Sequence, residues 1–374
     1  MVILSFEKSH RTIEQTNCKK IDLNNSNIIW KPLSFTGKYG AWGKIYDLIR
    51  MYLFSTYLTA TQGIKIIHAR GHLSAEVGAF LKKIFKIKLI FDFRGLWVDE
   101  RVDKGGWDIN KYVDRIQYKY YKKKEAELLE IADAIIVLTE KMYTILAAMP
   151  KINLYNVTII PCCADFHHFP LATSDKRKYA RNKLRIPNEA MVLGYVGSVG
   201  NMYRLDRFFD FFIHAYRFNN NCIALIITEN IEELEKIIYK KVPPNILCNL
   251  IYRSSNRNEM PELISSMSVL ISFIEPSYAR KAASPTKIAE CLSEGVPVIS
   301  NYGIGDVTEV INGLKAGVVL DLNSEDDFIK HSKNIVEISK MGGKKLRNRS
   351  VKKLSLNYAG EKYKYVYKKL LCQI

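Results

Sequence analysis

Short β-rich apolar runs alternate with amphipathic helical stretches along most of the chain, and this alternation limits the fold more than any other feature. In the first part the runs are Val2–Phe6, Lys65–Ala69, Lys88–Phe93, Ala134–Thr139 and Val157–Pro161. Helical patterns at Ala41–Ala60, Ser74–Phe85 and Tyr112–Ile131 lie between them. Strands separated by helices of this length form βαβ units, and βαβ units build parallel sheets. Asp165–Pro187 is polar and has no such period. The alternation then resumes with runs at Val192–Val196, Ile223–Thr228, Leu247–Tyr252, Val269–Ile274, Val296–Ser300 and Gly317–Asp321. The pattern predicts an α/β fold whose two parallel-sheet halves meet near residues 165–190. Ligands of such sheets bind beyond the strand C-termini, so a cleft between the halves is the expected site.

A length of 374 residues fits two domains, and 48% hydrophobic residues exclude a disordered or collagen-like chain. No apolar run approaches the roughly 18 residues of a membrane-spanning helix. The start, MVILSFEKSH, lacks the basic-then-apolar layout of a secretory signal. Seven scattered cysteines without a C-x-x-C spacing point to reduced thiols in a cytosolic setting and away from zinc.

The formal charge is +18, and its location matters more than its size. Lys111–Lys124 holds six basic residues and one acid; Lys340–Ile374 holds eleven basic residues and only Glu361. The rest of the chain is therefore nearly balanced. No zinc-finger spacing, RNP-like aromatic run or Arg-rich arm accompanies these windows, which argues against nucleic acid. Lysine dominates both, with tyrosines interleaved at Tyr112, Tyr118, Tyr120, Tyr121, Tyr363, Tyr365 and Tyr367. Such windows fit either solvated helix faces or contact with an anionic membrane surface. Tyr358–Leu371 also carries a stripe of Ala359, Tyr363, Val366, Tyr367, Leu370 and Leu371, so that helix is expected to pack.

Ser284–Ser300, SPTKIAECLSEGVPVIS, carries the most chemistry. Ser284 is the expected N-cap, Pro285 the first helical residue and Gly295 the stop. A helix start facing a cleft is an anion site, and Lys287 in its first turn adds a full charge. Glu290, three residues on, shares that face and suits sugar hydroxyls; a capped surface helix with a Lys–Glu pair is the alternative. Gly194–Gly200, GYVGSVG, follows a strand and permits close backbone approach to a ligand, or merely a tight turn. In the first half, His68-Ala69-Arg70-Gly71-His72 and Phe91–Glu100 (FDFRGLWVDE) follow strands. There Arg94 is suited to clamp an anion with Asp92 holding it by an ion pair, although such pairs also staple loops. Cys162–Cys163 read as small apolar residues, and His167–His168 lack a metal-ligand spacing. No G-x-S-x-G, Walker A or H-E-x-x-H occurs.

Together these segments resemble a family. GYVGSVG, then SPTKIAECLSEGVPVISNYGIGDVTEVI, then GLKAGVVLD, is similar to the C-terminal half of family 4 retaining glycosyltransferases. HARGHLSAEVGAFLKKIFKIKLIFDFRGLWVDERVDKGGW, ADAIIVLTEKMYTIL and IIPCCADFHHF resemble the first half, so the likeness spans about residues 60–322. It implies a GT-B architecture of two facing Rossmann-like domains: residues 1–168 for the acceptor, a linker at 169–190, residues 191–355 for the donor, and a helix at 356–374 packing back on the first domain. The implied activity is transfer of a sugar, with retention, from a nucleotide-sugar such as a UDP-sugar to a glycan or lipid-linked acceptor in cell-surface polysaccharide synthesis. No cofactor or metal is implied. Residue by residue, Glu290 matches the ribose-binding glutamate. Lys287 with Ser284 and Thr286 matches the donor phosphate site, and Gly197 and Ser198 match the loop below the diphosphate. Asp92 and Arg94 match groups near the reacting sugar, with His68, Arg70, Trp97, Asp99 and Glu100 on the acceptor side.

Some positions depart from the family pattern. Ala282 stands where a first glutamate is usual, Ser198 where an arginine is, and Tyr203 where a lysine is. Lys281, Lys287 and Arg204 are the cations left for a diphosphate. MVILSFEKSH looks like the family's second strand, so the first strand and its glycine-rich loop are expected to be missing. Two further readings follow: a nucleotide-sugar epimerase of the same architecture, or an inactive nucleotide-sugar-binding protein. The expected location is cytoplasmic, peripheral at the inner membrane face.

Overall fold

The computed structural model describes residues 1–7, 25–200 and 202–373; the end of MVILSFEKSH therefore lies outside the described residues. Contacts divide the chain into two compact units. One comprises Met1–Asp92 with Glu127–Asp133, the other Phe93–Ala126 with Ala134–Gln373.

In the first unit, β1 (Val2–Glu7) and β2 (Ile29–Ser34) pair in parallel with Ser5 opposite Pro32. Strand β2 escapes a sequence reading because Lys31–Pro32 interrupt its apolar run. In a two-stranded sheet every strand is an edge, where proline is tolerated. Trp30 is buried, and its Nε1 donates to Ser5 Oγ at 2.9 Å. Helix α1 (Gly40–Thr61) precedes β3 (Ile66–Arg70), α2 (His72–Phe85) and β4 (Lys88–Asp92). β3 and β4 pair in parallel, from Ile66 opposite Lys88 to Arg70 opposite Asp92. Gly71, at φ +88°, turns β3 into α2.

The second unit opens with α3 (Trp97–Asp103) and with α4 (Tyr112–Ile131), whose last turn belongs to the first unit. Strand β5 (Ala134–Val137), α5 (Glu140–Ala147) and β6 (Val157–Ile159) follow. β3–β6 form a parallel sheet of four strands and β7–β12 one of six. The latter are β7 (Met191–Val196), β8 (Cys222–Ile227), β9 (Leu250–Arg253), β10 (Val269–Ser272), β11 (Val298–Asn301) and β12 (Gly317–Leu320). Its helices are α6 (Ser174–Lys183), α7 (Leu205–Phe218), α8 (Ile231–Lys241), α9 (Met260–Ser266), α10 (Thr286–Glu294) and α11 (Val307–Leu314), then α12 (Glu325–Lys333), α13 (Ile335–Ser339), α14 (Lys344–Leu354) and α15 (Leu356–Leu371). Strand β9 starts later than its apolar run because Pro243–Pro244 set up a 3₁₀ turn over Pro244–Asn249.

Strands buried on both faces read as continuous apolar runs, as β8 (CIALII) does. On α7, Phe208, Phe209, Phe211 and Phe212 are fully buried against this sheet's core. The order is β12-β11-β10-β7-β8-β9, so the chain departs in opposite directions from the neighbours β7 and β10. That is the switch point where open α/β sheets take ligands.

α15 starts at Ser355, whose side chain accepts from Tyr358 N. Ala359, Val366 and Leu370 are buried, while Lys362 Nζ donates to Ile159 O at 2.9 Å. Leu371, expected in the packed stripe, is exposed in the last turn.

Candidate functional site

The two segments flanking the switch point are the two that the sequence singles out. After β7 the loop is held by backbone bonds: Gly197 N donates to Ile227 O at 3.1 Å, and Tyr195 OH donates to Ser198 O at 2.6 Å. Burial raises the Tyr195 phenol above its ordinary pKa. Gly200, at φ +89°, lets Tyr203 bridge back to it and across to Ile274; Glu275 N donates to Met202 O at 2.7 Å. Met202 and Tyr203 thus tie the end of this segment to the loop that follows β10.

That loop leads into α10, whose start differs from expectation. Pro285, not Ser284, is the N-cap, and no side chain caps the helix. The Pro285 ψ of 113° is extended, so helical geometry begins only at Thr286. Ser284 turns away, and its Oγ accepts from Cys162 N at 3.1 Å. The first-turn N–H groups are thus left without the hydroxyl that the sequence assigned to them. Lys287 lies in that turn, its Nζ 3.1 Å from Oε2 of the nearly buried Glu290. Arg257 Nη1 approaches Oε1 of the same carboxylate at 3.1 Å. Thr286 is exposed, and so is Lys281, whose Nζ sits 5.1 Å from the Tyr278 ring centre. Gly295, at φ +77°, ends the helix as expected. A Cβ there would lie 2.7 Å from Gly343 O. One turn below Glu290, burial pushes the Glu294 carboxyl up to about 9.

Arg204, expected as a diphosphate cation, is engaged by carboxylates: Asp206 at 2.8 Å and Glu275 at 2.5 Å. Its charge is already balanced inside the protein.

On the first-half segments, several assigned residues serve packing. Asp92 lies 3.6 Å from His68 Nε2, and Arg94 Nη2 donates to Cys162 Sγ at 3.3 Å, so the expected Asp92–Arg94 pair gives way to other partners. Asp92 Oδ1 is buried without a hydrogen bond among the described residues. Arg70 is exposed. Trp97 packs edge-on to Trp107 and Tyr121 at 5.9 and 5.4 Å, with Arg101 over both tryptophans. Asp99 accepts from Tyr118 OH and Lys122 Nζ at 2.9 and 3.0 Å. Glu100 faces the buried Arg280 at 3.4 Å and Lys104 at 2.9 Å.

Sequence reasoning passed over Arg257, Arg280, Thr139 and Asp306. Thr139 is the N-cap of α5, accepting from Met142 N and donating to Lys281 O at 2.8 Å. Thr-Glu ahead of an apolar helical run is a readable cap signal. Asp306 accepts from Glu140 N and Lys141 N. Thr139, Cys162, Ser284, Ile288, Asp306 and Tyr358 line a cavity of about 270 Å³. Among the described residues no group of three His, Cys, Asp or Glu is arranged for a metal, and no helix is long and apolar enough to cross a membrane.

No family model and no curated protein sequence matches the chain. Solved structures do. A sucrose-phosphate synthase from Thermosynechococcus elongatus aligns over 100% of both chains at 14% identity and TM-score 0.70. HepE of Anabaena, in complex with UDP and glucose, aligns over 99% of this chain and 100% of its own at 13% identity and TM-score 0.69. A glycosyltransferase from Rickettsia africae aligns over 99% and 98% at 13% identity and TM-score 0.71. The likeness is one of fold, and that fold is the GT-B class of α/β architecture.

Proposed function

We propose that the chain is a retaining glycosyltransferase of family 4 type, moving a sugar from a UDP-sugar to a glycan or lipid-linked acceptor. The observation that carries this reading is the uncapped start of α10 at the sheet's switch point, with Lys287 and the buried Glu290 beside it. Free N–H groups and a lysine suit a diphosphate, and a fixed carboxylate suits ribose hydroxyls. The UDP and glucose named with HepE are ligands of that chemistry.

On this reading residues 1–168 serve the acceptor and 191–355 the donor. The departing diphosphate is stabilised by the α10 start, Lys287 and Lys281, an electrostatic role of the oxyanion-hole type. The acceptor hydroxyl attacks the face that the leaving group vacates and gives its proton to the diphosphate, so no protein nucleophile is used. A membrane-borne acceptor at the inner face of the cytoplasmic membrane fits the lysine-rich windows. Lys122 is not one of the free cations there, being held by Asp99 and Glu125.

Donor binding by Lys287→Ala and Glu290→Ala tests the site. Affinity for UDP-sugars is expected to fall in both; unchanged affinity in both overturns the assignment. Incubation with UDP-sugars and no acceptor separates an epimerase, which would release an altered sugar.

A further inference from the structure

We propose that α1 is an interfacial helix that beds its outer face in an anionic lipid surface. Trp42, Tyr46, Ile49, Leu53 and Tyr57 recur at helical spacing, so they form one stripe along the 22 residues of α1. All five are exposed, Trp42 to 81% and Leu53 to 64%. The residues the helix buries are Gly43, Asp47, Leu58 and Thr59. Asp47, 6% exposed, accepts from Thr36 N and Thr36 Oγ1, both at 2.8 Å, and Arg50 pairs with it at 3.3 Å. The helix is thus held to its unit by this polar contact as well as by Leu58, while a full stripe of aromatic and aliphatic side chains points to solvent.

The stripe continues onto the neighbouring helix. Tyr52 of α1 packs edge-on against Phe80 of α2 at 5.2 Å, and Phe80 and Ile84 are themselves exposed. An apolar surface shared by two helices exceeds what isolated surface side chains explain.

The charge around it selects the occupant. Lys83 and Lys86, beside Phe80 and Ile84 on α2, are exposed. The acids on the two helices are Asp47, which is buried, and Glu76, which is partly buried. A lipid surface with anionic headgroups meets both features, apolar side chains entering the acyl boundary and lysines reaching phosphates. A second copy of this face would set the same lysines against one another. Trp and Tyr are also the side chains favoured where one end is apolar and the other wet. The inference shares with the proposed function only the membrane-borne acceptor, and it does not depend on the donor site.

The test is co-sedimentation of the full chain with vesicles of phosphatidylcholine alone or mixed with phosphatidylglycerol. Binding is expected to the mixed vesicles, with Trp42 fluorescence blue-shifted and quenched by brominated acyl chains. The exposed double variant Ile49→Glu/Leu53→Glu is expected to bind about 100-fold more weakly, with an unchanged circular dichroism spectrum. Lys83→Gln/Lys86→Gln should weaken binding to the mixed vesicles by about tenfold and leave neutral ones unaffected. Wild-type sedimentation of the Glu variant overturns the proposal. So does a vesicle-free dimer that the Glu variant dissociates, since the face would then be a subunit interface. A chain that binds vesicles but no nucleotide refutes the glycosyltransferase reading and leaves this one standing.

Discussion

Two lysine–carboxylate clusters use the same residue types and end in opposite states. On α4, Lys122 meets Asp99 at 3.0 Å and Glu125 at 2.5 Å, and Tyr118 OH completes Asp99. Burial and the Asp99 bond push the Tyr118 phenol up to about 12. The neighbouring carboxylates raise the Lys122 pKa against its own desolvation. On α10, Lys287 also stands beside a buried carboxylate, but it remains 40% exposed, and the helix start next to it lacks a side-chain cap. The first cluster is closed, each charge answered from within. The second is left open on the side where an anion would enter. Completeness of the network, rather than residue type, separates a packing device from a candidate site.

If the first cluster is purely structural, breaking it should cost stability more than anything else considered. Lys122→Ala leaves Asp99 and Glu125 buried with one fewer cation, and about 3 kcal/mol of unfolding free energy is expected to be lost in denaturant titration. UDP-sugar affinity of the folded fraction should not change. The converse holds for Lys287→Ala. Its side chain is partly in solvent, so stability should move by less than about 1 kcal/mol. The turnover rate should fall by about 10²–10³. Swapped outcomes would reverse the roles assigned to the two clusters.

Glu294 sharpens the comparison through pH. Its carboxyl is 1% exposed and raised to about 9 from an ordinary 4.5 by burial, despite Lys176, Arg347 and Arg177 pulling the other way. Between those values the folded state holds a proton that the unfolded state has lost. Stability is therefore fully present below about 4.5 and declines as pH rises through about 9, by at most about 1.4 kcal/mol per unit. Glu294→Gln should remove that part of the slope, as followed by thermal unfolding across this range. A slope identical to wild type would show that the carboxyl ionises in place. Smaller again is Thr139→Ala. It strips the cap from α5 and the bond to Lys281 O, for about 1 kcal/mol in the same assay.

How much of this was readable in the chain follows a physical line. Period and punctuation are local, so the strands, Gly295 as the α10 stop and the glycine turn after β7 could be read directly. Pro32 hid β2, and Pro285 moved the α10 start by one residue, because proline geometry competes with the pattern around it. Partner choice is not local. Ser284 finds Cys162 across 122 residues, and Arg280 finds Glu100 across 180. Nothing in SPTK or FDFRGLWVDE announces those encounters. Asp99 and Trp97 read as acceptor-side groups from the sequence, which does not show that they also join α3 to α4. Lys287 and Glu290 could be placed because three residues of helix suffice to pair them.

Arg257→Ala makes the finest cut between the two clusters. Arg257 approaches Glu290 at 3.1 Å, yet its side chain is 60% exposed and comes from the loop after β9. An exposed cation contributes about 0–1 kcal/mol to such a pair, so the stability change should sit at the bottom of this series. The carboxylate keeps a cation, Lys287, at its other oxygen, whereas Lys122→Ala removes the lysine shared by Asp99 and Glu125. If Lys287 alone orients Glu290, nucleotide affinity measured by calorimetry should stay within about threefold of wild type, less than one kcal/mol. A loss as large as that of Glu290→Ala would instead make Arg257 the residue that aims the carboxylate, and would extend the open cluster to the loop after β9.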